Sequence, residues 1–216
     1  MSGSRWGGFR VGVASGGENT SRGISAGANP FEVPSTETTH GNEPRIIKPG
    51  GIGHGKNKAV SQSTGPVLVF LDADDIMTPT RVAAQVAVLQ KNENAIVGGT
   101  WVRHPRGSTE HYERWANTLA DPTGLWLEQF RETTVQMPTW CMGRLTYDSV
   151  GGFDEVDPRL GEGEDLVFFH KHIDRFVEKK HNGAVPKVNQ LTEQNTPLRR
   201  AGACHETPLL LYRWSP

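Results

Sequence analysis

From residue 66 onward, short apolar runs alternate with amphipathic stretches, and the alternation predicts a layered fold. Val67-Leu-Val-Phe-Leu71 is apolar at consecutive positions and β-branched or aromatic at several, which predicts a strand buried on both faces of a sheet. Thr78-Pro79 supplies a cap and a proline for the first helical position, and Val82, Val86 and Leu89 follow at i, i+4 and i+7, predicting an amphipathic helix over 79–91. Ala95-Ile-Val-Gly-Gly-Thr-Trp-Val102 reads as the next strand, 123–131 as a helix and 139–142 as a short strand. A further helix begins near Glu164 and carries Leu166, Phe169, His170 and Ile173 on one face; Leu209-Leu-Leu-Tyr212 reads as a last strand. Strands alternating with helices predict an α/β fold around an open sheet.

The pattern is not uniform along the chain. Residues 1–49 hold nine glycines and no leucine, since the first leucine is Leu68. Such a segment buries too little apolar surface to offset its ordering entropy, so a disordered low-complexity stretch is expected there. Arg10–Val13 or Arg45–Lys48 would form a short strand at most. A glycine-rich entry at 51–60 leads into a short helix, and the globular domain is expected over 50–177. Residues 178–206, rich in Asn, Gln, Lys and Pro, read as a polar loop or insertion, and 207–216 as the terminal strand of the same domain.

Composition narrows the function classes. With 23 Lys and Arg against 24 Asp and Glu, the net charge is −1, so no global field draws nucleic acid or acidic lipid. Two cysteines, Cys141 and Cys204, make no disulfide framework and point to reduced thiols. No apolar run approaches a membrane span and the N-terminus lacks a secretory core, so the expected location is the cytoplasm, away from membranes.

The candidate chemistry is acidic. Asp72-Ala-Asp-Asp75 follows the strand 67–71, and ligands of open α/β sheets bind beyond the carboxyl ends of strands. Clustered carboxylates need a compensating cation, and hard divalent ions pair one or two of them with substrate phosphate, so a metal-held pyrophosphate is one reading. A solvated acidic turn before the helix is the other. Phosphatases of the haloacid-dehalogenase type also place Asp-x-Asp after a strand, but Asp75-Ile76 fits their turn poorly. A second acidic site, Glu164-Asp165, falls in the first turn of a helix behind Gly161-Glu-Gly163, where a carboxylate could accept a proton from a substrate hydroxyl.

In this order and spacing, Asp72–Asp75, Gly151-Gly-Phe-Asp-Glu155 and Glu164-Asp165 resemble a family 2 glycosyltransferase. The segments 51–63, 108–115, 137–140 and 209–213 are similar to one subgroup, the queuosine-tRNA galactosyltransferases, also described as β-1,3-N-acetylglucosaminyltransferase-like. The resemblance implies a GT-A fold, an open mixed sheet flanked by helices, here lacking the usual first strands. It implies an inverting hexosyltransferase that moves a sugar, galactose in that subgroup, from a UDP-sugar to a hydroxyl of queuosine in tRNA. Asp72 and Asp74 would hold manganese or magnesium and the donor diphosphate, with Lys56 and Asn57 beside the nucleotide. Asp165 would be the catalytic base, with Glu164 next to it, and Trp140 would floor the acceptor pocket. Arg103, Arg106, Arg114 and Arg199-Arg200 are the cations available to a tRNA. Relatives carry a metal-binding His after the Tyr-Arg strand where Ser215 stands, and His205 is the alternative ligand. Transfer of N-acetylglucosamine to a saccharide keeps the same motifs, and a truncated remnant without activity is the reading that the missing strands favour.

Overall fold

The computed structural model describes residues 11–15 (backbone only), 50–129, 132–155, 163–181, 183–187, 190–192, 194–202 and 208–213. The main sheet is built from β1 (Val11–Ser15), β2 (Val67–Leu71), β6 (Cys141–Gly143), β4 (Ile96–Gly99) and β7 (Leu198–Ala201), in that spatial order. β1 runs parallel to β2, β6 is antiparallel to both β2 and β4, and β7 is parallel to β4. A second, smaller sheet has the order β3 (Ile76–Met77), β8 (Leu210–Arg213), β5 (Trp101–His104).

The period of two along β2 divides the core. Leu68 and Phe70 pack with Ile96, Met142, Trp140 and Phe168 on one face, while Val67 and Val69 pack with Val97, Cys141 and Leu89 on the other. Helices α1 (Gly51–Gln62), α5 (Arg144–Val150) and α6 (Glu164–His181) contribute Val60, Tyr147 and Phe169 to the first face. Helix α2 (Arg81–Leu89) covers the second. Helices α3 (Glu110–Thr118) and α4 (Pro122–Leu127) follow the second β-sheet strand β5, and Asp121 caps α4 by accepting from the Thr123 and Gly124 amides.

Several expectations change in physical detail. Residues 95–102 make two strands because the chain leaves one sheet for the other at Thr100, whose carbonyl accepts from the Leu209 and Leu210 amides at 2.8 and 3.2 Å. On α2 the most buried line is Arg81, Gln85 and Leu89, with Val82 and Val86 partly buried beside it. Arg81 and Gln85 tolerate burial because they satisfy sheet carbonyls: Arg81 donates to Phe70 O at 2.6 Å and Gln85 to Val97 O at 2.8 Å. The polar loop expected over 178–206 contains α6 up to His181 and the buried strand β7. The usual first strands are not wholly lacking, because β1 pairs with β2 in register Val11 to Val67; the remainder of 1–49 lies outside the described residues. Among the described residues no helix is long and apolar enough to cross a membrane.

Candidate active site

Two elements separated by ninety residues deliver the acidic groups. The turn after β2 is tight, with the Asp75 amide donating to Asp72 O at 3.2 Å, and it leaves Asp72 half-buried, Asp74 exposed and Asp75 buried. Arg81 and the Phe70–Trp140 backbone bond hold the strand end that carries this turn. The first turn of α6 supplies Glu164 and Asp165, both half-buried. Asp72, Glu164 and Asp165 line one cavity of about 360 Å³ together with Ile52, Lys56, Ala73, Met137, Pro138, Gly163 and Tyr212.

Helix α1 reaches this cavity through close packing against the chain at 153–155. A Cβ on Gly53 would lie 2.1 Å from the Asp154 carbonyl oxygen, so only glycine permits the approach. Gly152 adopts φ +84°, and the turn it makes presents the Phe153 amide to Asn57. Asn57 is fully engaged there: it donates to Phe153 O at 2.9 Å and Glu155 Oε1 at 2.6 Å, and accepts from the Phe153 amide and the Tyr147 hydroxyl. Asn57, expected beside the donor, spends its side-chain hydrogen bonds here on fixing α1. Lys56 does line the cavity, but its ammonium donates to Glu164 Oε1 at 2.6 Å and sits 5.2 Å from the centre of the Phe153 ring. With Lys56 4% and Glu164 13% exposed, this ion pair ties α1 to the start of α6. Glu164, expected to share in catalysis, is a partner of Lys56 and a neighbour of Asp165.

The carboxylates perturb one another. Burial raises the Asp72 pKa; Lys56 opposes it, and Asp74, Glu164 and Asp165 raise it further. Burial, then Glu164, likewise raises Asp165, while the Leu166 amide donating to Oδ1 at 2.8 Å and Lys56 act the other way. A raised pKa suits a group that must take a proton near neutrality. Burial pushes Asp75 up to about 7, although the Arg213 amide donates to its Oδ1.

The site fits a hard divalent cation in its chemistry. The Asp72 and Asp74 carboxylates offer oxygen alone, and the crowding of like charge around Asp72 favours a cation there. Among the described residues no three His, Cys, Asp or Glu side chains gather to hold an ion unaided. An ion held by two carboxylates would complete its shell with substrate phosphate and water, as magnesium commonly does. Ser215 and His205 lie outside the described residues.

Other expectations separate from the site. Trp140 is fully buried, stacked with Phe153 and Phe169, and its indole donates to Val135 O at 2.9 Å, so it is a core residue and no part of the cavity. Arg199 and Arg200 are buried in β7, and Arg200 donates to the carbonyls of Leu119, Gly99 and Thr134; they offer no surface cation pair. Arg106 and Arg114 are exposed, the latter paired with Glu110. Tyr212, Met137 and Pro138 line the cavity without having been singled out as site residues, although the segments carrying them bear the resemblance.

Residues 45–151 match the family described as Glycosyl transferase family 2. The matched stretch runs from α1 through α5 and includes the acidic turn, while α6 with Glu164 and Asp165 follows it. The open mixed sheet flanked by helices is the α/β arrangement of the GT-A fold. The chain is also similar to the crystal structure of S. aureus TarS at 19% identity and a TM-score of 0.39, over 57% of this chain and 21% of that one.

Proposed function

We propose that this chain is an inverting glycosyltransferase that moves a sugar from a UDP-sugar to an acceptor hydroxyl, with Asp165 as the catalytic base. The observation that carries the reading is the single cavity into which the strand-end carboxylate Asp72 and the helix-start carboxylate Asp165 both face. In the proposed step the acceptor oxygen gives its proton to Asp165 and bonds to the sugar C1. The bond from C1 to the diphosphate oxygen breaks, and UDP leaves with the electron pair. One displacement inverts the anomeric centre. Asp72 and Asp74 would hold manganese or magnesium, which offsets charge on the departing diphosphate when bound. Lys56 and Glu164 act as positioning residues that keep the α6 start against α1.

The finer reading is galactose transfer from UDP-galactose to queuosine in tRNA. It is supported by the resemblance of 51–63, 108–115, 137–140 and 209–213, and residues of three of these segments (Ile52 and Lys56, Met137 and Pro138, Tyr212) line the cavity. Charge adds little to it, because Arg199 and Arg200 are internal. Transfer of N-acetylglucosamine to a saccharide uses the same groups. The presence of β1 beside β2 weakens the reading as an inactive remnant.

The test is calorimetric titration with UDP-galactose, with manganese and then with chelator, followed by transfer to queuosine-containing tRNA. Affinity should need the metal. In Asp165→Asn, transfer should fall about 10²-fold or more while donor affinity stays within about twofold. Turnover unchanged in Asp165→Asn would remove the proposed base.

A further inference from the structure

A second cavity, of about 400 Å³, also has Asp165 in its wall. It shares Met137, Pro138, Asp165 and Tyr212 with the first, but Asp72, Lys56 and Glu164 line only the first, and Arg103, Tyr112, Glu132 and Gln136 only the second. A single displacement places C1 between the leaving diphosphate and the attacking hydroxyl, and the base beside that hydroxyl. If Asp72 marks the diphosphate end, the second cavity, which reaches Asp165 without Asp72, offers the hydroxyl its approach to the base.

We propose that this second cavity is the acceptor pocket, that it takes a polyhydroxylated ring, and that Arg103 and Tyr112 set its specificity. The assignment rests on the glycosyl transfer proposed above. The lining offers donors and acceptors together. The Arg103 guanidinium lies 4.3 Å from the Tyr212 ring centre, 5.3 Å from that of Trp101 and 5.9 Å from that of Tyr112, so three aromatic rings fix it at the cavity wall. The Tyr112 oxygen accepts from Gln136 Nε2 at 3.1 Å, which leaves its O–H to donate. Gln136 is itself held in place, because its Oε1 accepts from the Trp101 indole at 2.7 Å. Glu132 and Asp165 supply acceptors. A hydroxyl both donates and accepts, so adjacent ring hydroxyls match this alternation, whereas an apolar or polyanionic group matches only part of it.

Vicinal ring hydroxyls occur in a modified nucleoside and in a saccharide, and two probes separate these sources. The full chain is titrated with queuosine nucleoside and with methyl β-galactopyranoside, and separately with UDP-galactose plus manganese. Wild type should bind one of the two acceptor probes, with UDP-galactose bound at the same time. Arg103→Gln and Tyr112→Phe should each weaken that probe about tenfold or more and leave UDP-galactose within about twofold. Circular dichroism confirms that both variants fold, and Tyr112→Phe keeps the ring and removes only the hydroxyl. Variants that weaken UDP-galactose instead, or change neither ligand, overturn the pocket. So does a wild type that binds UDP-galactose and neither probe. Binding of a probe that depends on Arg103 and Tyr112, without any binding of UDP-galactose, keeps the pocket and defeats the transfer reading. Binding of no ligand at all defeats both.

Discussion

Asn57 and Lys56 are neighbours on α1, yet burial gives them different work. Asn57 makes two donor and two acceptor hydrogen bonds across to Tyr147, Phe153 and Glu155, so Asn57→Ala strands a buried amide and carbonyl at once. A loss of about 2–4 kcal/mol is expected in urea unfolding, large for one side chain because unpaired partners remain. The identity of Asn57 as a special residue was legible in the sequence through the family resemblance. Its role was not, because its partners lie 90 to 98 positions away. Trp140 misled for a related reason: an aromatic ring suits a sugar floor and a core equally well, and only its contacts with Phe153, Phe168 and Phe169 decide. The positions of Asp72 and Asp165 were legible, because the pattern places one at a strand end and the other at a helix start.

Strands and helices were legible where apolar periodicity was strong, as in β2 and α2. They were hidden where polar side chains bury themselves by serving backbone carbonyls. Leu198-Arg-Arg-Ala201 reads as surface, yet Arg200 is 6% exposed because three carbonyls receive its guanidinium. The same logic fastens β8, whose Arg213 amide donates to Asp75 Oδ1 at 2.8 Å and whose preceding Leu209 carbonyl accepts from the Thr78 amide. Asp75→Ala removes the first of these ties. In that variant the amides of 210–213 should exchange with deuterium about tenfold faster or more than in wild type, while those of β4 keep their protection. Equal exchange in both proteins would mean that β8 is held by its strand neighbours alone.

Across the whole molecule, stability depends on groups that are uncharged because they are buried. His172 is 5% exposed on α6, bonded to Pro197 O at 2.9 Å, and burial lowers its pKa to about 4. The unfolded chain takes up this proton near 6.5 and the folded one only near 4, so stability falls as pH drops through that window. The loss from this group reaches about 3 kcal/mol at most and stops below its folded pKa. Asp75, raised to about 7, acts with the opposite sign over much of the same range, because the folded state then holds the extra proton. The informative measurement is the difference in urea midpoint between wild type and His172→Gln at pH 7, 5.5 and 4.5. That difference should move in favour of the variant as pH falls; a constant difference would show that His172 carries no such linkage.

The place of β8 between β3 and β5 has a consequence for synthesis. Tyr212 enters both cavities from a strand that pairs with residues emerging from the ribosome more than a hundred codons earlier. The main-sheet strands β2, β4 and β6 are all synthesised before β8. The cavities around Asp165 are completed only with β8, through Tyr212. A nascent chain that stalls before residue 212 would hold its acidic turn and Asp165, but would lack the Tyr212 side chain that both cavities share.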